Sequence, residues 1–196
     1  MKALQQPMNV EFLRTAARSY AVKIHRGQLP PVEMDPAPGY DPEMPHDLLH
    51  LIVECELGLR RGIFGQVAAG GDAGTFHQQT PSEKRQRETA RNRRRMAKRG
   101  DKLRMEGRGE AAASERATYI CLYEWLARSD SIDRRARAAQ MASEAAHVRA
   151  TQPPAERQAL SDGVLARVCE RLDELSSRWS SLKVGERLTV EWRVRN

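Results

Sequence analysis

The chain has 196 residues, with 33 Lys and Arg against 26 Asp and Glu and a formal net charge of +7. Only 36 residues are Leu, Ile, Val or Phe, a share at which some segment is expected to stay outside the core. No run approaches the roughly 18 apolar residues of a membrane helix and the opening residues lack the apolar stretch of a secretory signal, so a cytoplasmic protein without a membrane partner is expected. Cys55, Cys121 and Cys169 lie far apart with no C-x-x-C pair, which excludes a disulfide framework or zinc knuckle and leaves free thiols in a reducing compartment.

The large aliphatic residues and Phe are unevenly placed, with 18 in residues 1–69, two in 70–118 and 16 in 119–196. Residues 84–108 hold 12 of the basic side chains and three acids. The basic character therefore belongs to one segment, and the remainder is slightly acidic.

In chain order, residues 19–26 alternate, with Tyr20, Val22 and Ile24 on one face, and predict a half-buried strand ended by Gly27. Residues 30–45 carry six prolines and read as a stiff, extended connector. A helix is expected over 45–57, with Pro45 at its start, Asp47 in its first turn and Gly58 as a left-handed stop. Residues 63–69 form a short buried helix or turn. A third helical stretch starts at Pro81 and is weakened by Gly100, Gly107 and Gly109. Residues 111–127 read as a core helix, and Ser131 or Asp130 caps the next one, whose small seam is Ile132, Ala136, Ala139, Ala142 and Ala146. Pro153 and Pro154 break it. The last helix places Leu165, Val168, Leu172, Leu175 and Trp179 on one seam, and Leu188, Val190, Trp192 and Val194 predict a closing strand. The expected fold is a single α+β domain over 1–196. It is mainly helical, with a two- or three-stranded antiparallel sheet from the chain ends packed on helices, and 72–110 as a basic, partly exposed or disordered insertion.

On the 45–57 helix, His46, Asp47, His50 and Glu54 share one face. His46 and His50 are one turn apart, so their imidazoles can converge on zinc or another divalent ion, with Glu54 or His77 as a third ligand. Asp47 occupies the place of the general-base Glu in H-E-x-x-H hydrolases, one methylene shorter. The competing reading is a solvated or structurally hydrogen-bonded helix face. The H-D-x-x-H run resembles that of ubiquinone-biosynthesis scaffold proteins, whose zinc motif continues with a Glu where this chain has Gly62, so that ligand set does not carry over.

In the basic segment, Arg87, Arg91, Arg94, Lys98 and Lys102 would form a stripe about 22 Å long on a helix. Like charges at this spacing repel unless an anionic surface sits against them, and Arg suits phosphate. Contact with a DNA or RNA backbone is the expected function, a metal-binding protein or metal-dependent hydrolase the alternative. An acidic protein partner, or a solvated arm with no chemistry, fits the same charge. No aromatic residue lies within 84–108, so base stacking has no platform. Phosphate-cradling glycine motifs and G-x-S-x-G are missing.

The run Met44-Pro45-His46-Asp47-Leu48-Leu49-His50, with Val53-Glu54, Gly58-Leu59, Gly62, Gly65, Ala68-Ala69-Gly70 and the Leu-Thr-x-x-Trp of residues 188–192, resembles a family of small bacterial proteins with no established activity. The resemblance implies kinship over about the first 70 residues and the last dozen, and no function.

Overall fold

The structure, a computed structural model, describes residues 8–78 and 86–194, and for 86–93 the backbone alone. Residues 8–37 form three consecutive antiparallel strands, β1 (Met8–Ala16), β2 (Ser19–Arg26) and β3 (Leu29–Ala37). The short β4 (His77–Gln78) and the final β5 (Arg187–Trp192) complete a sheet of order β4-β3-β2-β1-β5. The fold is α+β, but the sheet has five strands where two or three were expected. Two segments account for the difference.

Residues 8–16 carry the alternation seen in β2, with Met8, Val10 and Phe12 buried. They lie between β2 and β5, pairing Val10 with Ile24 on one side and Val190 on the other. Much of the proline-rich connector is β3. Its prolines at 30, 31 and 36 are tolerated because, among the described residues, β3 pairs outward with β4 only at Val32 and Glu33, so no continuous second ladder there demands their missing N–H groups. One face of the sheet is apolar, and Phe12, Val22, Ile24, Val32, Leu188 and Val190 from that face join the core cluster with the helices.

Six helices occur among the described residues: α1 (His46–Leu57), α2 (Ile63–Ala68), α3 (Gln86–Ala127), α4 (Ile132–Thr151), α5 (Pro154–Ala159) and α6 (Asp162–Ser180). α1 ends as expected, with Gly58 left-handed at φ 71°. It is the central helix, buried from Asp47 to Glu54 and in contact with α2, α3 and α6. The seam Leu165, Val168, Leu172, Leu175 and Trp179 of α6 is fully buried, each large side chain contributing about 1.5–3 kcal/mol. None of the helices is long and apolar enough to cross a membrane.

The glycines at 100, 107 and 109 do not break α3, which runs unbroken for 42 residues. Gly100, Gly107, Ser114 and Cys121 are spaced by seven and all buried, forming a small-residue seam along one side. A Cβ on Gly100 would lie 2.5 Å from the Asp72 carboxylate, and one on Gly107 would lie 2.5 Å from the Arg61 carbonyl oxygen. Gly107 admits neighbouring backbone and Gly100 the Asp72 side chain, and the packing gained outweighs about 1 kcal/mol of helix propensity lost at each. In α4 the expected seam faces the other way. Ile132, Ala136, Ala139 and Ala146 are exposed, and Ala138 and Ala145 are buried instead. The cause is Arg134, whose guanidinium lies over Trp125 at 4.2 Å and bonds Glu43 at 2.9 Å, turning its own side of the helix inward.

Candidate metal centre

α1 presents its polar face to α3, and the group that assembles there is His46, His50 and Glu115. Their ligand atoms lie within 4.8 Å of one another. The two imidazoles stand edge to face with centroids 4.6 Å apart, the consequence of one helical turn between them. His50 is fully buried, His46 sits at the rim, and the Glu115 side chain is 60% exposed. The group therefore opens to solvent on the Glu115 side.

The protonation pattern of His50 follows from its neighbours. Ser114 Oγ donates to Glu54 Oε1 at 3.0 Å, so its proton is committed and its lone pairs face His50 Nδ1, also at 3.0 Å. Nδ1 therefore carries a proton and donates to Ser114, with Thr118 Oγ1 at 3.3 Å beside it. Nε2 is left as a lone pair. It is buried and has no hydrogen-bond partner among the described residues, and Glu115 Oε2 lies 3.5 Å away.

A lone pair facing a carboxylate is repulsive unless a cation lies between them. A proton there would form an imidazolium–carboxylate bond of about 2.8 Å, shorter than the separation observed. Two donors on a tetrahedral ion with bonds of about 2.0–2.1 Å stand about 3.3 Å apart, close to it. The electrostatics of the other two members are consistent with a charge-gathering site. Partial desolvation lowers His46 below the ordinary histidine range, and a positive charge at His50 would lower it further, which favours a neutral ring able to ligate. A positive charge at His50 Nε2, which a metal ion there would supply as a proton would, holds Glu115 below the ordinary carboxylate range.

Glu54, the expected third ligand, is engaged elsewhere. Its carboxylate accepts from the Ile63 and Phe64 backbone N–H groups at 2.7 and 3.0 Å, the first turn of α2. The residue before that turn, Gly62, has no side chain to cap it, and a Cβ there would lie 2.4 Å from Glu54 Cδ. Glu54 is therefore a cap for α2 and the anchor of the Ser114–His50 relay, the usual position of a carboxylate behind a ligating histidine. Burial pushes its pKa up to about 7 against the pull of its three donors.

Asp47 is also buried and engaged. Tyr20 Oη donates to it at 2.5 Å and lies 2.6 Å from the Pro38 carbonyl oxygen, while burial raises its pKa. Asp47 lies outside the His46, His50 and Glu115 group, as does His77, exposed on β4. Of the basic stripe, Arg94, Lys98 and Lys102 are exposed, Lys102 pairing with Glu106 at 3.7 Å. The side chains of Arg87 and Arg91 lie outside the described residues.

Glu115 escaped the sequence reading because it is 65 residues beyond His50 on another helix. The usable signal was polar: Ser114 and Thr118 fall on the buried side of α3, where hydroxyls need partners. No family model, curated protein or solved structure matches this chain.

Proposed function

We propose that this protein binds one divalent transition-metal ion through His46 Nε2 or Nδ1, His50 Nε2 and a Glu115 carboxylate oxygen. The observation that carries the reading is the buried Nε2 of His50, without a hydrogen-bond partner among the described residues, its lone pair set by the Ser114–Glu54 relay and directed toward two further donors. Two imidazoles and one carboxylate are a donor set for zinc or ferrous iron with coordination positions left open. An open position on such an ion acidifies bound water, the chemistry of a metal-dependent hydrolase. Asp47, held by Tyr20, is not a base in this reading.

The test is metal analysis of protein exchanged against zinc and freed of excess. About one equivalent is expected in wild type, an affinity about 10–100-fold weaker in Glu54→Gln, whose carboxylate stands behind the His50 ligand, and a larger loss in His50→Ala and Glu115→Ala, which remove a ligand outright. Equal zinc retention by His50→Ala and wild type refutes the site.

A second reading, contact with nucleic-acid backbones, is supported by Arg94, Arg95, Lys98 and Arg99. All four are exposed on α3 and have no carboxylate partner among the described residues. If the five residues Arg87, Arg91, Arg94, Lys98 and Lys102 each meet a phosphate, log affinity for duplex DNA falls against log salt with a slope of about −4.5. An unchanged affinity in the five-fold Ala variant refutes it.

A further inference from the structure

α3 bears basic residues on a second face as well. Arg95 and Arg99, one turn apart, line a pocket of about 220 Å³ together with Arg26, Gly70, Pro30 and Met96. Arg26 comes from β2 and is only 5% exposed. Its guanidinium donates to the Pro30, Val67 and Gly71 carbonyl oxygens at 2.5–3.2 Å. Those bonds use four of its five N–H groups, leaving one Nη2 hydrogen unassigned among the described residues.

Three guanidinium groups around one recess repel one another, and among the described residues no carboxylate lines it. The nearest acid acting on Arg26 is Asp72, and Arg104 already pairs with Asp72. Arg26 feels the strain: burial, then Arg99, lowers its pKa to about 10. Space for the third guanidinium is made by backbone, because a Cβ on Gly70 would stand 3.3 Å from Arg99 Cζ, and Gly70 has φ 92°, which disfavours any other residue.

We propose that Arg26, Arg95 and Arg99 form a binding pocket for the phosphate group of a phosphomonoester. Guanidinium forks match phosphate oxygens in pairs, and a dianion relieves the mutual repulsion of three cations that have no acid among them in the described lining. The recess, walled on one side by Pro30 and Met96, selects a terminal phosphate over the flat, continuous backbone of a duplex. The pocket is separate from the metal centre, since Arg99 and Glu115 are about 24 Å apart along α3.

The experiment is isothermal titration of the full, metal-free chain with inorganic phosphate and with phenyl phosphate at fixed ionic strength, and with duplex DNA lacking terminal phosphates. Both phosphate probes should bind at one site. Arg95→Ala and Arg99→Ala should each weaken them about tenfold, the effect of losing a charge-assisted bond. Lys98→Ala, on the neighbouring face, and His50→Ala, in the metal centre, should leave them unchanged. Arg26 is left intact because its removal opens a buried site. Absence of binding at millimolar phosphate overturns the proposal, as does equal weakening by Lys98→Ala, which would mark diffuse charge. Binding of the duplex without either phosphate probe also overturns it.

Discussion

Glu54 offers a stability test whose sign follows from its surroundings. Its carboxylate is completely buried and its pKa is pushed up to about 7, against 4.5 for an ordinary Glu. Between these values the unfolded chain has released the proton and the folded chain still holds it, so stability falls as pH rises. At about 1.4 kcal/mol per pH unit the loss amounts to about 3 kcal/mol, absent below pH 4.5 and complete above about pH 7. Glu54→Gln has no proton to lose.

Urea unfolding of both proteins, metal-free, at intervals between pH 4.5 and 8 gives the difference in unfolding free energy directly. That difference should move against wild type by about 3 kcal/mol across the window, while other titrating groups cancel between the two proteins. Glu54→Gln will itself be less stable at low pH, because one amide hydrogen must confront the N–H groups of Ile63 or Phe64. A difference that stays constant with pH, or that moves in favour of wild type as pH rises, refutes the reasoning. The latter would mean that the three donors hold Glu54 ionised despite its burial.

Two glycines two residues apart in α3, and so on opposite sides of the helix, should respond in opposite directions. Gly107→Ala drives a Cβ to 2.5 Å from the Arg61 carbonyl oxygen and should destabilise by about 1–3 kcal/mol in thermal or urea unfolding. Gly109→Ala meets nothing within 4 Å and should stabilise by up to about 1 kcal/mol. Arg134→Ala removes the stack on Trp125 and the bond to Glu43. It should cost about 1–3 kcal/mol, whereas Arg178→Ala, in an exposed pair with Glu174, should cost less than about 0.5 kcal/mol by the same measurement.

The sequence was most legible where a single periodicity met clear end signals. β2, α1 with its Gly58 stop, and α6 with its five-residue seam all lie where expected. Residues 8–16 were equally regular, and β1 lies inside the sheet between β2 and β5, both of which repeat that alternation. Proline content hid β3, since the missing N–H groups matter only where a second strand pairs, and only two residues of β4 do so. In α3 the glycines read as helix breakers, and their seven-residue spacing with Ser114 and Cys121 marks them as a packing seam instead. α4 was misoriented because Ala is compatible with either face, and the Arg134 network decided the rotation.

For the candidate site, the one-turn spacing of His46 and His50 was visible in the sequence. The third member was not, because it depends on how α1 and α3 cross. Glu54 shared the right face of α1 but sits beside a helix start that lacks its own cap.

The central claim is that His50 is a neutral base with its proton on Nδ1 and a lone pair on Nε2 awaiting a cation. A long-range proton–nitrogen spectrum of the histidine side chains at neutral pH, recorded on metal-free protein and again after one equivalent of zinc, reads this state directly. The account predicts the Nδ1–H tautomer for His50 before addition and a shift of Nε2, with His46 moving in step, after it. A His50 imidazolium paired with Glu115 before addition, or a spectrum that zinc leaves unchanged, would contradict it.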